Sequence, residues 1–124
     1  MTVAVENALA QNFLPEIAQL FLAEWKRLRD EPGQTPEAKL RTDLLTVEIH
    51  NALTAREKSM AQTEAGRNVV TRMLDRWIEL AYPRLASQIE RQLNCYVTWT
   101  GIDVEPDNGC VRVRIGLRES ALVM

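Results

Sequence analysis

The C-terminal part of the chain carries the pattern that most restricts its fold. Val111, Val113, Ile115 and Leu117 alternate with Arg112, Arg114 and Arg118, the two-residue period of a strand with one dry and one wet face. Upstream, the run Tyr96–Val104 is rich in β-branched and aromatic residues, which suit a pleated, half-buried surface. Between the two lies Glu105-Pro106-Asp107-Asn108-Gly109, whose Asn-Gly step supplies the positive φ angles that a hairpin turn demands. A hairpin with one apolar face needs a second layer to cover it.

The rest of the chain supplies that layer and a second hairpin. From about Asn12 to Arg29, Phe13, Ile17, Leu20, Phe21, Trp25 and Leu28 recur at three- and four-residue spacing, one apolar stripe of a helix. Pro15 suits its first turn, and Lys26, Arg27 and Arg29 crowd the end where cations favour the negative pole of the dipole. The stretch 30–36, with two prolines and a glycine, reads as a short linker. The period then falls to two: Leu45, Val47, Ile49 and Leu53 alternate with Thr46, Glu48 and His50, predicting a strand over Leu44–Leu53. Thr42-Asp43 turns the chain back on a shorter strand, Glu37–Arg41.

Thr54 and Glu57 form a capping box, in which the hydroxyl takes the amide of the third helical residue and the carboxylate returns to the cap amide. A long helix is therefore predicted from Thr54 to Leu93, amphipathic through Val70, Met73, Leu74, Trp77, Ile78 and Ala81, kinked or restarted at Pro83 and ending near Asn94. Straight, it would reach roughly 60 Å, long enough to suggest that a second subunit buries part of it. The order helix, hairpin, long kinked helix, hairpin is a twofold α-β-β pattern. It predicts a single α+β domain over residues 1–124, with an antiparallel sheet packed against helices.

Composition narrows the function. A net charge of −2 and a pI near 5.5 argue against nucleic acid or anionic lipid as the main partner, since both need a strong basic field. Apolar runs fall short of the roughly 18 residues that span a bilayer, and Met1–Glu6 lacks the basic start and apolar core of a signal peptide. A cytoplasmic chain that does not insert into the membrane is expected. Cys95 and Cys110 fit that compartment as free thiols. At opposite ends of the second hairpin they would lie on the order of 20 Å apart, beyond disulfide reach.

Individual residues give little chemistry. His50 shares a strand face with Glu48, but one imidazole beside one carboxylate falls short of a metal site, and a solvated face is the simpler reading. Arg112, Arg114 and Arg118 read as a wet face charged against aggregation, with an anion or an acidic partner as the alternative. Trp25, Trp77 and Trp99 fall on apolar faces or strands, which favours core or dimer packing. The sequence carries no phosphate-cradling glycine loop, nucleophile elbow or paired-carboxylate signature, so no catalytic residue and no cofactor is expected.

Gly66 stands out: inside a helix it costs about 1 kcal/mol relative to alanine. Glu64 and Arg67 around it are spaced for a surface ion pair. Gly66 either admits a close-packed element or opens space for a ligand whose negative group Arg67 would hold.

The stretch Asn51–Arg67, with Leu53-Thr54-x-x-Glu57-Lys58 followed by Thr63-Glu64-x-Gly66-Arg67, resembles the signature of the MpsC-like family. Tyr82-Pro83-Arg84-Leu85 and Ile102-Asp103-Val104-Glu105-Pro106 resemble its later landmarks, and the similarity runs from about Ile17 to Leu117. The chain departs from the family at Glu31-Pro32-Gly33-Gln34 and at Asn94-Cys95, where members often carry glycine-containing steps. The family is largely a domain of unknown function, in which some bacterial members are assigned as the soluble accessory subunit of a sodium-translocating, membrane-potential-generating system. The resemblance marks Thr54, Glu57, Thr63, Glu64, Gly66 and Arg67 as a family motif. It implies a non-enzymatic interaction or accessory module, expected to be a homodimer with a protein partner at the membrane. The alternative is a small-molecule- or anion-binding regulatory domain.

Overall fold

A computed structural model of the chain describes residues 11–29, 35–41 and 43–119. The readings made for Met1–Glu6, for 30–34 and for Thr42 lie outside the described residues. The elements are α1 (Leu14–Arg29), β1 (Pro36–Arg41), β2 (Leu44–Ile49), α2 (Ala55–Met60), α3 (Glu64–Leu93), β3 (Cys95–Glu105) and β4 (Cys110–Glu119). The four strands form one antiparallel sheet in the order β1-β2-β4-β3, and the molecule is α+β.

The two hairpins join along β2 and β4, where their apolar rows coincide. Leu45 faces Ile115, Val47 faces Val113 and Ile49 faces Val111, and none of these six is more than 2% exposed. A slip of one residue would turn every one of them to water, so the pattern fixes the register. Ile17, Phe21 and Trp25 of α1 are fully buried, each such side chain contributing roughly 2–3 kcal/mol of apolar transfer.

The strand predicted to Leu53 ends earlier, at Ile49. Asn51 takes a left-handed φ of 52°, and the amides of Ala52 and Leu53 both donate to the Gly109 carbonyl, at 2.8 and 3.0 Å. The apolar Leu53 is therefore buried by the turn of the second hairpin rather than by the sheet.

The helix predicted from Thr54 to Leu93 is two helices. The break falls at 61–63, not at Pro83, because Thr63 caps a new helix with its hydroxyl and a cap residue holds extended backbone. α3 runs 30 residues with Pro83 inside it, roughly 45 Å. The lost hydrogen bond at Pro83 is offset by core contacts on both sides of it, with Ala81 and Leu85 both buried. Asn94 ends the helix in the left-handed region, a conformation asparagine tolerates.

In β3 the pairing shifts between Val97 and Trp99, leaving Thr98 as an extra residue. The bulge keeps Val97 opposite Leu117 and Ile102 opposite Val113 on the covered face. Trp99 emerges on the other face, 51% exposed, which rules out the core half of the core-or-dimer reading made for it.

Candidate functional site

The motif residues meet at the corner between α2 and α3. At its first half, the Glu57 amide donates to Thr54 Oγ1 at 3.1 Å and the Thr54 amide donates to Glu57 Oε1 at 3.0 Å, the reciprocal capping box read from the sequence. In the second half the Gly66 amide donates to Thr63 Oγ1 at 3.0 Å. Glu64 stands in the first turn of α3, where a carboxylate suits the positive end of the dipole. Arg67 Nε donates to the Ala61 carbonyl at 3.2 Å, satisfying a backbone acceptor at the end of α2.

Gly66 therefore lies in the first turn of a helix rather than its middle. A Cβ at this position would overlap the Met60 carbonyl oxygen, so the chain can reverse from α2 into α3 this tightly only with glycine there. The room that Gly66 gives is taken by the chain's own backbone.

Glu57 reaches beyond its cap. Arg29 Nη2, at the end of α1, donates to Glu57 Oε1 and Oε2 at 2.6 and 2.5 Å, and both side chains are nearly buried. Burial pushes the Glu57 carboxyl up, but the bonds from Arg29 and Thr54 together outweigh it and hold the group below its ordinary value. The guanidinium stacks on Trp25, 4.3 Å from the ring centroid, and Trp25 meets Trp77 edge to face at 5.2 Å. Trp77 Nε1 in turn donates to the Glu24 carbonyl at 3.3 Å. The Glu24 carboxylate, itself buried, takes Arg27 at 3.2 Å and Arg84 at 3.6 Å.

Beside this hub a groove of about 350 Å³ opens over Arg29 and Glu57, walled by Leu28, Met73, Trp77 and Leu80. Val69, Met73 and Leu80 are 45, 46 and 55% exposed. Their spacing along α3 places them in one row.

A model of the Na+-translocating membrane potential-generating system (MpsC) family matches residues 16–117, a span that holds the corner, the hub and nearly all of the sheet. The chain belongs to the MpsC family. No curated protein and no solved structure matches it.

Within this MpsC chain the landmark Tyr82-Pro83-Arg84-Leu85 gains a physical meaning, since Arg84 pairs with the buried Glu24 of α1. The arginine stripe of β4 lies on the uncovered face of the sheet, on a central strand. Arg112 Nε donates to Glu48 at 2.8 Å and its Nη2 to Glu105 at 3.1 Å, Arg114 pairs with Asp103, and Arg118 stacks over Tyr96 at 5.2 Å. The bond from Arg112 holds the Glu105 carboxyl below its ordinary value. An incoming anion would thus have to displace carboxylates from Arg112 and Arg114.

Cys95 and Cys110 are free and buried. Burial, with help from Glu90, pushes the Cys95 thiol up to about 11, and burial also raises Cys110. Both are far from thiolate at neutral pH.

Among the partnerships that escaped the sequence are Arg29 with Glu57, Arg84 with Glu24, and Glu37 with His50, whose Nε2 lies 3.3 Å from Glu37 Oε1. The basic cluster at the end of α1 was a signal for the first, but helix periodicity does not say which of Lys26, Arg27 and Arg29 turns inward.

Proposed function

We propose that the chain is a non-enzymatic accessory module of a membrane-potential-generating system, working at the cytoplasmic face of the membrane and acting by docking rather than catalysis. The observation that carries this reading is the exposed row Val69, Met73 and Leu80 on α3. The adjoining side of the same helix, with Val70, Leu74 and Trp77, already fills the core, so the outer row is apolar surface beyond what the fold uses. Its four- and seven-residue spacing suits a partner helix laid along α3, and the groove over Arg29 and Glu57 extends the seat. Among the described residues no helix is long and apolar enough to cross a membrane. The family's description supplies the system.

The same row is the proposed seat of a homodimer. Replacing Met73 and Leu80 together by glutamate tests both parts. The double variant should keep the parent's circular dichroism, become monomeric by light scattering where the parent is a dimer, and no longer co-purify with the membrane subunit of the system. A parent that is monomeric across micromolar concentrations would sink the dimer. Undiminished co-purification of the variant would sink the docking role.

A further inference from the structure

At the β1 end of the uncovered face, the register brings together groups that lie apart in the sequence. Glu37 of β1 stands directly opposite Glu48 of β2, a juxtaposition of like charges that weakens a sheet unless something offsets it. His50 follows at the end of β2, its backbone amide held by the Thr35 carbonyl at 3.1 Å. One ligand-type atom from each of Glu37, Glu48 and His50 lies within 4.8 Å of the others.

We propose that Glu37, Glu48 and His50 form a binding site for a divalent metal ion of the zinc class. The donor set is one imidazole nitrogen and two carboxylate oxygens, which suits Zn2+ better than the all-oxygen cations. His50 Nε2 and Glu37 Oε1 are 3.3 Å apart, close to the roughly 3.4 Å that separates two donors on a tetrahedral ion with bonds of about 2.1 Å. The third donor comes from Glu48. Glu48 is pre-oriented for this: Arg112 Nε holds its Oε2 at 2.8 Å, the kind of outer bond that fixes a metal-ligating carboxylate. Three protein ligands leave positions for water or for a group from a partner, as in open zinc sites. The alternative to a metal site, a hydrogen bond between His50 and Glu37 alone, makes no use of Glu48.

Calorimetric titration of the untagged full-length chain with ZnCl2 separates the two. One Zn2+ per chain should bind, and His50→Ala and Glu37→Gln should each weaken it at least about tenfold, since even outer-shell partners of a metal site are worth that much. Glu79→Gln, on the far helix layer, should leave it unchanged, and circular dichroism should be the same for all three variants because the replaced side chains lie at the surface. Absence of Zn2+ binding would overturn the proposal. So would binding that survives both His50→Ala and Glu37→Gln, which would place the ion elsewhere, or equal competition by Mg2+, which would exclude the imidazole as a ligand.

Discussion

Arg29 Nη2 sits between the two carboxylate oxygens of Glu57, 28 residues away in the sequence, at 2.6 and 2.5 Å. The same carboxylate closes the capping box of α2, so one side chain starts a helix and ties it to another. That dual use gives the family motif a mechanical role: it locks the end of α1 against the corner from which α3 departs.

Removing one partner of a buried ion pair leaves the other charge uncompensated. Glu57→Ala should therefore lower stability by about 3 kcal/mol at pH 7, measured by urea unfolding. Because the folded carboxyl lies below its ordinary value of about 4.3, its stabilisation is complete above that pH and is lost as pH falls through the folded value. The parent should lose more stability between pH 7 and pH 3 than Glu57→Gln does. Equal losses would show that the pair contributes nothing to the acid limb.

Gly66→Ala should be far costlier than alanine normally is in a helix. Alanine usually improves on glycine there by about 1 kcal/mol, yet here its methyl meets the Met60 carbonyl oxygen. We expect a loss of about 3 kcal/mol from the forced opening of the corner. A neutral or stabilising result in thermal unfolding would mean that the corner relaxes without cost.

The two thiols should be silent in the native protein. With Cys95 raised to about 11 and Cys110 also raised, and both buried, an aromatic disulfide reagent at pH 8 should react slowly until denaturant is added, and then titrate both. Rapid native reaction of either thiol would contradict its burial.

Trp99 lies across Gly116, and a Cβ there would overlap the indole. Gly116→Ala should push the ring into solvent at a cost of about 1 kcal/mol. Trp25 and Trp77 are buried, so the fraction of tryptophan fluorescence quenched by iodide reports Trp99 and should rise. Unchanged quenching would place the ring elsewhere.

Much of the architecture was legible because it is written in local chemistry. The alternation at Val111–Leu117, the hairpin turn before Cys110, the Thr54–Glu57 box and the helix end near Asn94 each depend on neighbours within a few residues, although of the Asn108-Gly109 step only Gly109 takes the positive φ read for it. The break at 61–63 was missed because Pro83 is the stronger breaker on paper, while Thr63 looks like an ordinary helical threonine until its hydroxyl is seen to cap. For Trp99 the sequence leaves core and dimer packing open, because one bulged residue, Thr98, shifts the alternation of its strand.

What the sequence determined by itself was the order of helical and strand segments and most of the apolar faces they bury, since periodicity and capping are properties of contiguous residues. What only the tertiary structure decided was partnership: which cation answers Glu57, which oxygen stands where a Cβ of Gly66 would be, and which glutamate lies opposite Glu48. Those choices arise from strand register and helix packing between segments far apart in the chain. The physical reason is that a side chain's charge or size says what it requires, while the neighbour that meets the requirement is set by how the backbone closes.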